Sequence, residues 1–243
     1  METRPTIVLV HGAWHGSWCW DDVAAALRSA GYEVLVPDLP GHETPGSSAR
    51  FANSLGSYVE HVDQLVESVD GDVVLVGHSM GGLVTQRVCE GRTVAHAVLV
   101  ASIPRKGAGG ALGRLAQNHP EQLFEAAKSL SLWPLVATDE RVRGHFFGSG
   151  ASSEAVESAG SRMQNESLVA FVSMILRWPR PENVTSPVSV VAATQDGIFT
   201  LAEQADLAKT YGTELVQIDC GHDIMLEPQH TELVELIIDR AGG

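Results

Sequence analysis

Positive charge is scarce in this sequence. Sixteen Lys and Arg residues stand against thirty Asp and Glu, a formal net charge of −14 over 243 residues. Surfaces that bind nucleic acid or anionic membranes carry a basic footprint, so neither partner is expected. Cysteine is also rare. Cys19, Cys89 and Cys220 form an odd set without metal-type spacing, which excludes a disulfide framework. No apolar run approaches the roughly 20 residues of a membrane span. Met1-Glu2-Thr3-Arg4-Pro5 leads straight into a strand-like run with no basic-then-apolar signal segment. Internal repeats, low-complexity tracts and interdomain linkers are missing too. What is present, 44% hydrophobic and 19% charged residues, is the composition of an ordinary folded globule. The expectation is one soluble cytoplasmic protein, with a homodimer left open and neither cofactor nor metal required.

Along the chain, short continuous apolar runs alternate with helical patterns. Thr6 to Val10, Glu33 to Val36, Val73 to Val76, Ala97 to Val100, Val188 to Ala193 and Glu214 to Ile218 read as buried strands of a parallel sheet. Val23, Ala26, Leu27 and Ala30 recur at helical spacing before Gly31, and Tyr58, Val62, Leu65, Val66 and Val69 form a second stripe. Strand and helix in alternation call for an α/β fold, a mostly parallel sheet flanked by helices. The rhythm breaks between residues 103 and 187, where helical patterns are separated by Gly- and Pro-containing loops. Residues 1–102 and 188–243 are therefore read as the core, and 103–187 as a helical cap inserted after the strand at 97–101. Within the cap, Gly107-Ala108-Gly109-Gly110 lacks the Gly-Lys-Ser/Thr of a phosphate loop and is read as a flexible hinge. Leu168, Val172, Ile175 and Leu176 are read as one lined face of its last helix. Thr200 with Glu203 makes a capping-box start, and Pro228 is taken to open a final helix through Arg240.

The centre of the chain is Gly77-His78-Ser79-Met80-Gly81-Gly82. A buried strand stops at Gly-x-Ser-x-Gly and a helical pattern follows, the strand–turn–helix setting in which a serine hydroxyl is pushed out above a sheet end. A serine needs a base to take its proton, and the base needs an acid to fix its tautomer. In such a sheet these partners follow the nucleophile, acid then histidine, each just past a strand. Asp196 follows the strand 188–193, and His222 follows 214–218 at a glycine. Asp219 and Asp223 compete as acids but lie too close in sequence to His222 to reach its far nitrogen easily. His230 is placed in the final helix, facing solvent, and His78 is given a packing or local hydrogen-bonding role.

The oxyanion of a tetrahedral intermediate calls for two backbone N–H donors. Met80, after the nucleophile, supplies one, and Ala13 in the small-residue loop after the first strand supplies the other. His11 and His15 lack a carboxylate or cysteine partner at metal spacing, so structural hydrogen bonding is expected of them. Gly12, Trp14, Phe124, Trp133, Phe171 and Met225, with Leu123, Leu135 and Met174, are the candidate pocket walls. Their apolar character points to a small hydrophobic or aromatic ester.

With these residues placed, the chain resembles an α/β-hydrolase, and within that superfamily the hydroxynitrile lyase and plant methylesterase group, as a bacterial-type esterase member. The likeness runs through residues 11–20, the elbow at 77–82, Thr194-Gln195-Asp196-Gly197-Ile198-Phe199 and Gly221-His222-Asp223-Ile224-Met225-Leu226. It implies Ser79, Asp196 and His222 as a triad and Ala13 and Met80 as oxyanion donors. Two departures stand out. Lyases of the group carry a threonine where this chain has Gly12, and a lysine after the histidine where it has Asp223. That lysine stabilises departing cyanide and an aspartate would repel it, so cyanohydrin cleavage is disfavoured. The reading is a serine ester hydrolase working through an acyl-enzyme. Its alternatives are a carbon–carbon bond hydrolase or hydroxynitrile lyase on the same triad, and a ligand-sensing receptor on a hydrolase scaffold.

Overall fold

A computed structural model describes residues 4–43 and 51–242. Six strands form one sheet in the order β2-β1-β3-β4-β5-β6: β1 Thr6–Val10, β2 Val34–Leu35, β3 Val73–His78, β4 His96–Val100, β5 Val188–Ala193 and β6 Leu215–Ile218. Every neighbouring pair is parallel. The central strands are buried on both faces, which is why they read as unbroken apolar runs rather than alternating ones. Successive residues still point to opposite sides. Ile7 and Leu9 join the core under α1 (Asp21–Ser29) and α10 (His230–Arg240), while Val8 and Val10 join the one under α2 (Leu55–Glu67) and α3 (Met80–Cys89). A smaller core, around Leu99, Val190 and Leu207, sits under α9 (Leu201–Thr210).

Strand order reverses between β1 and β3, and in open parallel sheets ligand crevices form at such a switch point, beyond the carboxyl ends of the strands. The loops after β1 and β3 therefore emerge side by side. Between β4 and β5 no strand intervenes among the described residues. Five helices do: α4 Gly109–Asn118, α5 Pro120–Ser129, α6 Asp139–Phe146, α7 Ser153–Arg162 and α8 Leu168–Leu176.

Residues 164–167 of this insert are fastened to the core by a buried polar network. Gln164 donates its N–H to Trp14 O (2.8 Å) and its amide to His42 O (3.0 Å). Glu166, fully buried, accepts from Tyr58 Oη at 2.8 Å and from Ser167 N at 2.7 Å, and its second oxygen lies 3.3 Å from His42 Nε2. Burial opposes charge on His42, but the Glu166 carboxylate beside it, with Leu39 and Asp38, raises the imidazole above its ordinary value.

Local expectations fare unevenly. Thr200 and Glu203 do form a reciprocal capping box. The edge strand is shorter than expected, Val34–Leu35 alone, because only Ile7 and Val8 of β1 pair with it. Pro228 and Gln229 form a turn, closed by His230 N donating to Glu227 O, and α10 begins after it. The glycine stretch at 107–110 forms the turn into α4. Gly107 takes φ +72°, its N–H meets Pro104 O, and a Cβ there would stand 2.5 Å from Met174 O, so the turn is packed against α8. In α8 the buried side is Ala170 and Met174, whereas Val172 and Leu176 face outward. An almost wholly apolar helix gives no contrast from which to read its inner face. No helix among the described residues is long and apolar enough to cross a membrane.

Candidate active site

Ser79 stands between β3 and α3 at φ 51°, ψ −112°, a conformation that side chains other than glycine rarely adopt. The surrounding backbone holds it there. Its N–H donates to Val100 O at 3.0 Å, and its carbonyl accepts from Gly82, Leu83 and Ile103. Small neighbours make the turn feasible: a Cβ at Gly77 would lie 2.3 Å from Gly81 O, and one at Gly81 2.4 Å from Val10 O. The Ser79 hydroxyl does not cap α3. It lines, with Ala13 and Met80, a cavity of about 540 Å³.

His222 follows β6, and Asp196 follows β5. Nδ1 of His222 lies 2.8 Å from Asp196 Oδ2. A carboxylate only accepts, so Nδ1 carries the proton and the lone pair sits on Nε2. The other Asp196 oxygen accepts from the N–H groups of Ile198 (2.7 Å) and Phe199 (2.9 Å), which fixes the carboxylate's orientation. Nε2 is buried without a hydrogen-bond partner, the one unengaged polar atom of this pair. No hydrogen bond therefore joins His222 Nε2 to Ser79; catalytic hydrogen bonds are often long or poorly aligned in unliganded sites. Burial disfavours charge on His222. The charge and hydrogen bond of Asp196, with the charge of Asp223, more than offset this, and its pKa stands above the ordinary histidine value. Asp219 is engaged elsewhere, by Thr194 Oγ1 and Gln195 Nε2.

Ala13 and Met80 line the cavity together with the serine, and neither backbone N–H has an acceptor among the described residues. Met80 opens α3, so its N–H belongs to the positive end of the helix dipole. The peptide that carries the Ala13 N–H is held from its other end. Leu39 N donates to His11 Nε2 (3.0 Å), which leaves the proton on Nδ1 to be donated to Gly12 O (2.9 Å). Burial first, then His42 nearby, pushes the His11 pKa well down, keeping this neutral form.

Asp223 contributes nothing to the cavity wall. Its fully buried carboxylate accepts from His15 Nε2 at 2.9 Å and lies 3.5 Å from His78 Nε2. Nδ1 of His15 reaches Ala13 O (2.7 Å), and His78 Nε2 donates to His222 O (3.2 Å). One carboxylate thereby joins the loops after β1, β3 and β6. The bond expected of His78 within its own turn is instead made to a loop 144 residues away. The aspartate expected where a lyase's lysine would face leaving cyanide is withdrawn into this cluster. The cavity-lining cations Arg114 and Arg141 are held by Glu203 and Glu125. Gly12 has a steric partner as well, because a Cβ there would lie 2.8 Å from His78 Nδ1 and 3.1 Å from Ser79 Cβ.

Of the expected walls, Trp14, Leu135, Phe171 and Met174 line the cavity. Phe124 and Trp133 do not; they are 70% and 38% exposed, on the outside of α5 and the turn after it. Leu123 packs beside the core without reaching the cavity, and Met225 is buried under the opposite face of the sheet. Gly12 lies behind the serine. Residues not foreseen complete the wall, among them Ile103, Gln122, His145, Phe146 and Phe199. Glu227 was also missed: its Oε1 accepts from the N–H groups of Gly148 and Gly221, both at 2.8 Å, and so holds the histidine loop. Its only sequence signal is a carboxylate soon after the His222 loop. Among the described residues, one group, His78, His222 and Asp223, brings metal-type ligand atoms within 4.8 Å of one another. His78 and Asp223 are already engaged as described.

An elbow serine, a histidine fixed by a carboxylate and a cavity at the switch point of a parallel sheet define a hydrolase-type site. The alpha/beta hydrolase family pattern matches residues 7–236, and the chain belongs to that family. It is 28% identical over 246 residues to the carbendazim hydrolyzing esterase of Nocardioides sp. (strain SG-4G), covering 90% of this chain and 93% of that one. It is 45% identical over 86 residues to methyl jasmonate esterase 1 of Vitis vinifera, a match to 34% of this chain and 33% of that one. Two solved structures share the fold. One is an extracellular alpha/beta-hydrolase from a Paenibacillus species, with TM-score 0.77 at 19% identity over 97% of this chain and 98% of that. The other is polyneuridine aldehyde esterase, with TM-score 0.73 at 20% identity over 98% and 99%.

Proposed function

We propose that the protein is a serine carboxylic-ester hydrolase. Ser79 Oγ attacks the ester carbonyl while His222 Nε2 takes its proton, and Asp196 steadies the imidazolium. The oxyanion that forms is met by the N–H groups of Ala13 and Met80. Collapse breaks the bond to the alcohol oxygen, which leaves with the proton from His222. Water, deprotonated by the same nitrogen, then releases the acid from the acyl-enzyme. Helices α4 to α8 act as the cap that excludes solvent from this sequence. One observation carries the reading: His222 gives Nδ1 to Asp196 and keeps Nε2 buried and unbonded, its ring packs on Phe146 and Phe199 of the cavity that the elbow serine lines, and the serine hydroxyl has no hydrogen-bond partner among the described residues. Apolar walls around the serine, from Trp14, Ile103, Phe146, Phe171 and Met174, suit a small hydrophobic or aromatic ester. The lyase alternative loses support because neither cavity-lining arginine is free to stabilise cyanide.

A fluorophosphonate probe with peptide mapping, run beside a panel of esters graded by acyl and alcohol size, tests this. Label is expected on Ser79, and both label and turnover should vanish in His222→Ala. Turnover that survives Ser79→Ala would show that another group is the nucleophile. Slow single-turnover kinetics, with a ligand-dependent melting shift kept in Ser79→Ala, would favour a receptor instead.

A further inference from the structure

The cavity wall built by α5 and α6 carries a polar pair that the ester chemistry does not use. Gln122, in α5, is 6% exposed, and its Oε1 lies 3.2 Å from Nε2 of His145 in α6. Both residues line the cavity that Ser79 lines. No further hydrogen bond to either side chain is present among the described residues. Neither Gln122 Nε2 nor His145 Nδ1 is among the buried atoms left without a partner, so the unused capacity of the pair opens to water in the cavity, which a polar ligand group can replace.

What would complete it follows from the inventory of the two groups. If His145 donates from Nε2, then Gln122 offers its NH₂ and His145 offers the lone pair of Nδ1. If the amide is turned round, Gln122 offers its oxygen and His145 offers Nδ1–H. In either arrangement the pair presents one donor and one acceptor. Charge does not suit this part of the wall. Arg114 is held bidentately by Glu203 (3.0 and 2.7 Å), Arg141 by Glu125 (2.8 Å), and His119 lies 3.6 Å from Glu121. Glu140 stands exposed, where water screens it. Burial, with His119, His222 and Arg141 nearby, lowers the His145 pKa to about 4, so the imidazole is neutral at neutral pH.

We propose that Gln122 and His145 form a recognition site for an uncharged group that both donates and accepts hydrogen bonds, such as a carboxamide or a hydroxyl, carried on the ester substrate. This rests on the ester-hydrolase reading and narrows it. The substrate is apolar where it meets Trp14, Phe146 and Phe171, and polar but neutral where it meets α5 and α6.

The test is a series of p-nitrophenyl esters with acyl chains of three to six methylenes. The chains end in a carboxamide, a branched alkyl group of the same shape, a carboxylate or a trimethylammonium. At the best length, kcat/KM for the carboxamide is expected to exceed that of its alkyl isostere about tenfold or more, with both charged ends below the carboxamide. In Gln122→Leu the carboxamide-to-alkyl ratio is expected to fall to about one. His145→Leu, which removes the other half of the pair, should do the same, and the wild-type ratio stands as a test without either variant. Equal turnover of carboxamide and alkyl esters in the wild type, or a ratio that persists in both variants, overturns this inference while leaving the ester-hydrolase reading in place. No turnover of any member overturns both.

Discussion

Replacing Asp223 with asparagine removes a negative charge from behind His222 while keeping the side chain's volume. The carboxylate it replaces is fully buried, accepts from His15 at 2.9 Å and faces His78 at 3.5 Å. Asparagine can still accept from His15, but its NH₂ then confronts a His78 nitrogen whose hydrogen is already given to His222 O. Breaking one side of a buried charged pair costs about 3–5 kcal/mol, and the retained acceptor argues for the lower end, about 3 kcal/mol. In a chain of this size each kcal/mol lowers the melting temperature by about 2–4 °C, so a fall of about 6–12 °C is expected. The catalytic consequence has a definite sign. Asp223 is one of the charges that hold the His222 pKa up, so its loss lowers that pKa. A general base must be unprotonated to act, so activity fades as pH drops through its pKa. The acid limb of kcat/KM should therefore move to lower pH in Asp223→Asn, although the variant is less stable. Ester turnover across pH 4.5 to 8, at a temperature where both proteins are folded, reads it directly. An acid limb that stays put or moves up, or an unchanged melting temperature, would refute the reasoning.

Two further changes probe the same machinery. Asp196→Asn should keep its oxygen on Ile198 N and Phe199 N and turn its NH₂ toward His222, forcing the proton onto Nε2; kcat should fall by about 10⁴, and a loss under tenfold would remove Asp196 from its assigned role. Gly12→Ala drives a methyl to 2.8 Å from His78 Nδ1, against a ring hemmed by His222 (centroids 4.7 Å) and His15 (6.0 Å). Overpacking of this kind costs about 1–3 kcal/mol, and displacement of the Ala13 peptide should depress kcat more than it raises KM; melting and kinetics like the wild type would refute the contact.

The sheet could be read from the sequence because its central strands are buried on both faces and leave unbroken apolar runs, bounded by turns. Val73–His78 ending at Gly-x-Ser-x-Gly is the plainest case. Loops at the ends of such strands have fixed places in the topology, so Asp196 could be paired with His222 before any coordinate. The insert had no such frame. Phe124, Trp133 and Phe171 are alike as residue types, yet only Phe171 reaches the cavity, since which side of a helix faces inward depends on what it packs against. The same gap in the argument hid Asp223. A carboxylate beside the catalytic histidine reads as a group facing the leaving group, and only the histidines at 15 and 78, brought in by two other loops, draw it away. Short-range order in a site is written in strand ends and glycines. The buried polar partners that make one unit of three loops are long-range, and a single sequence places no two of them together.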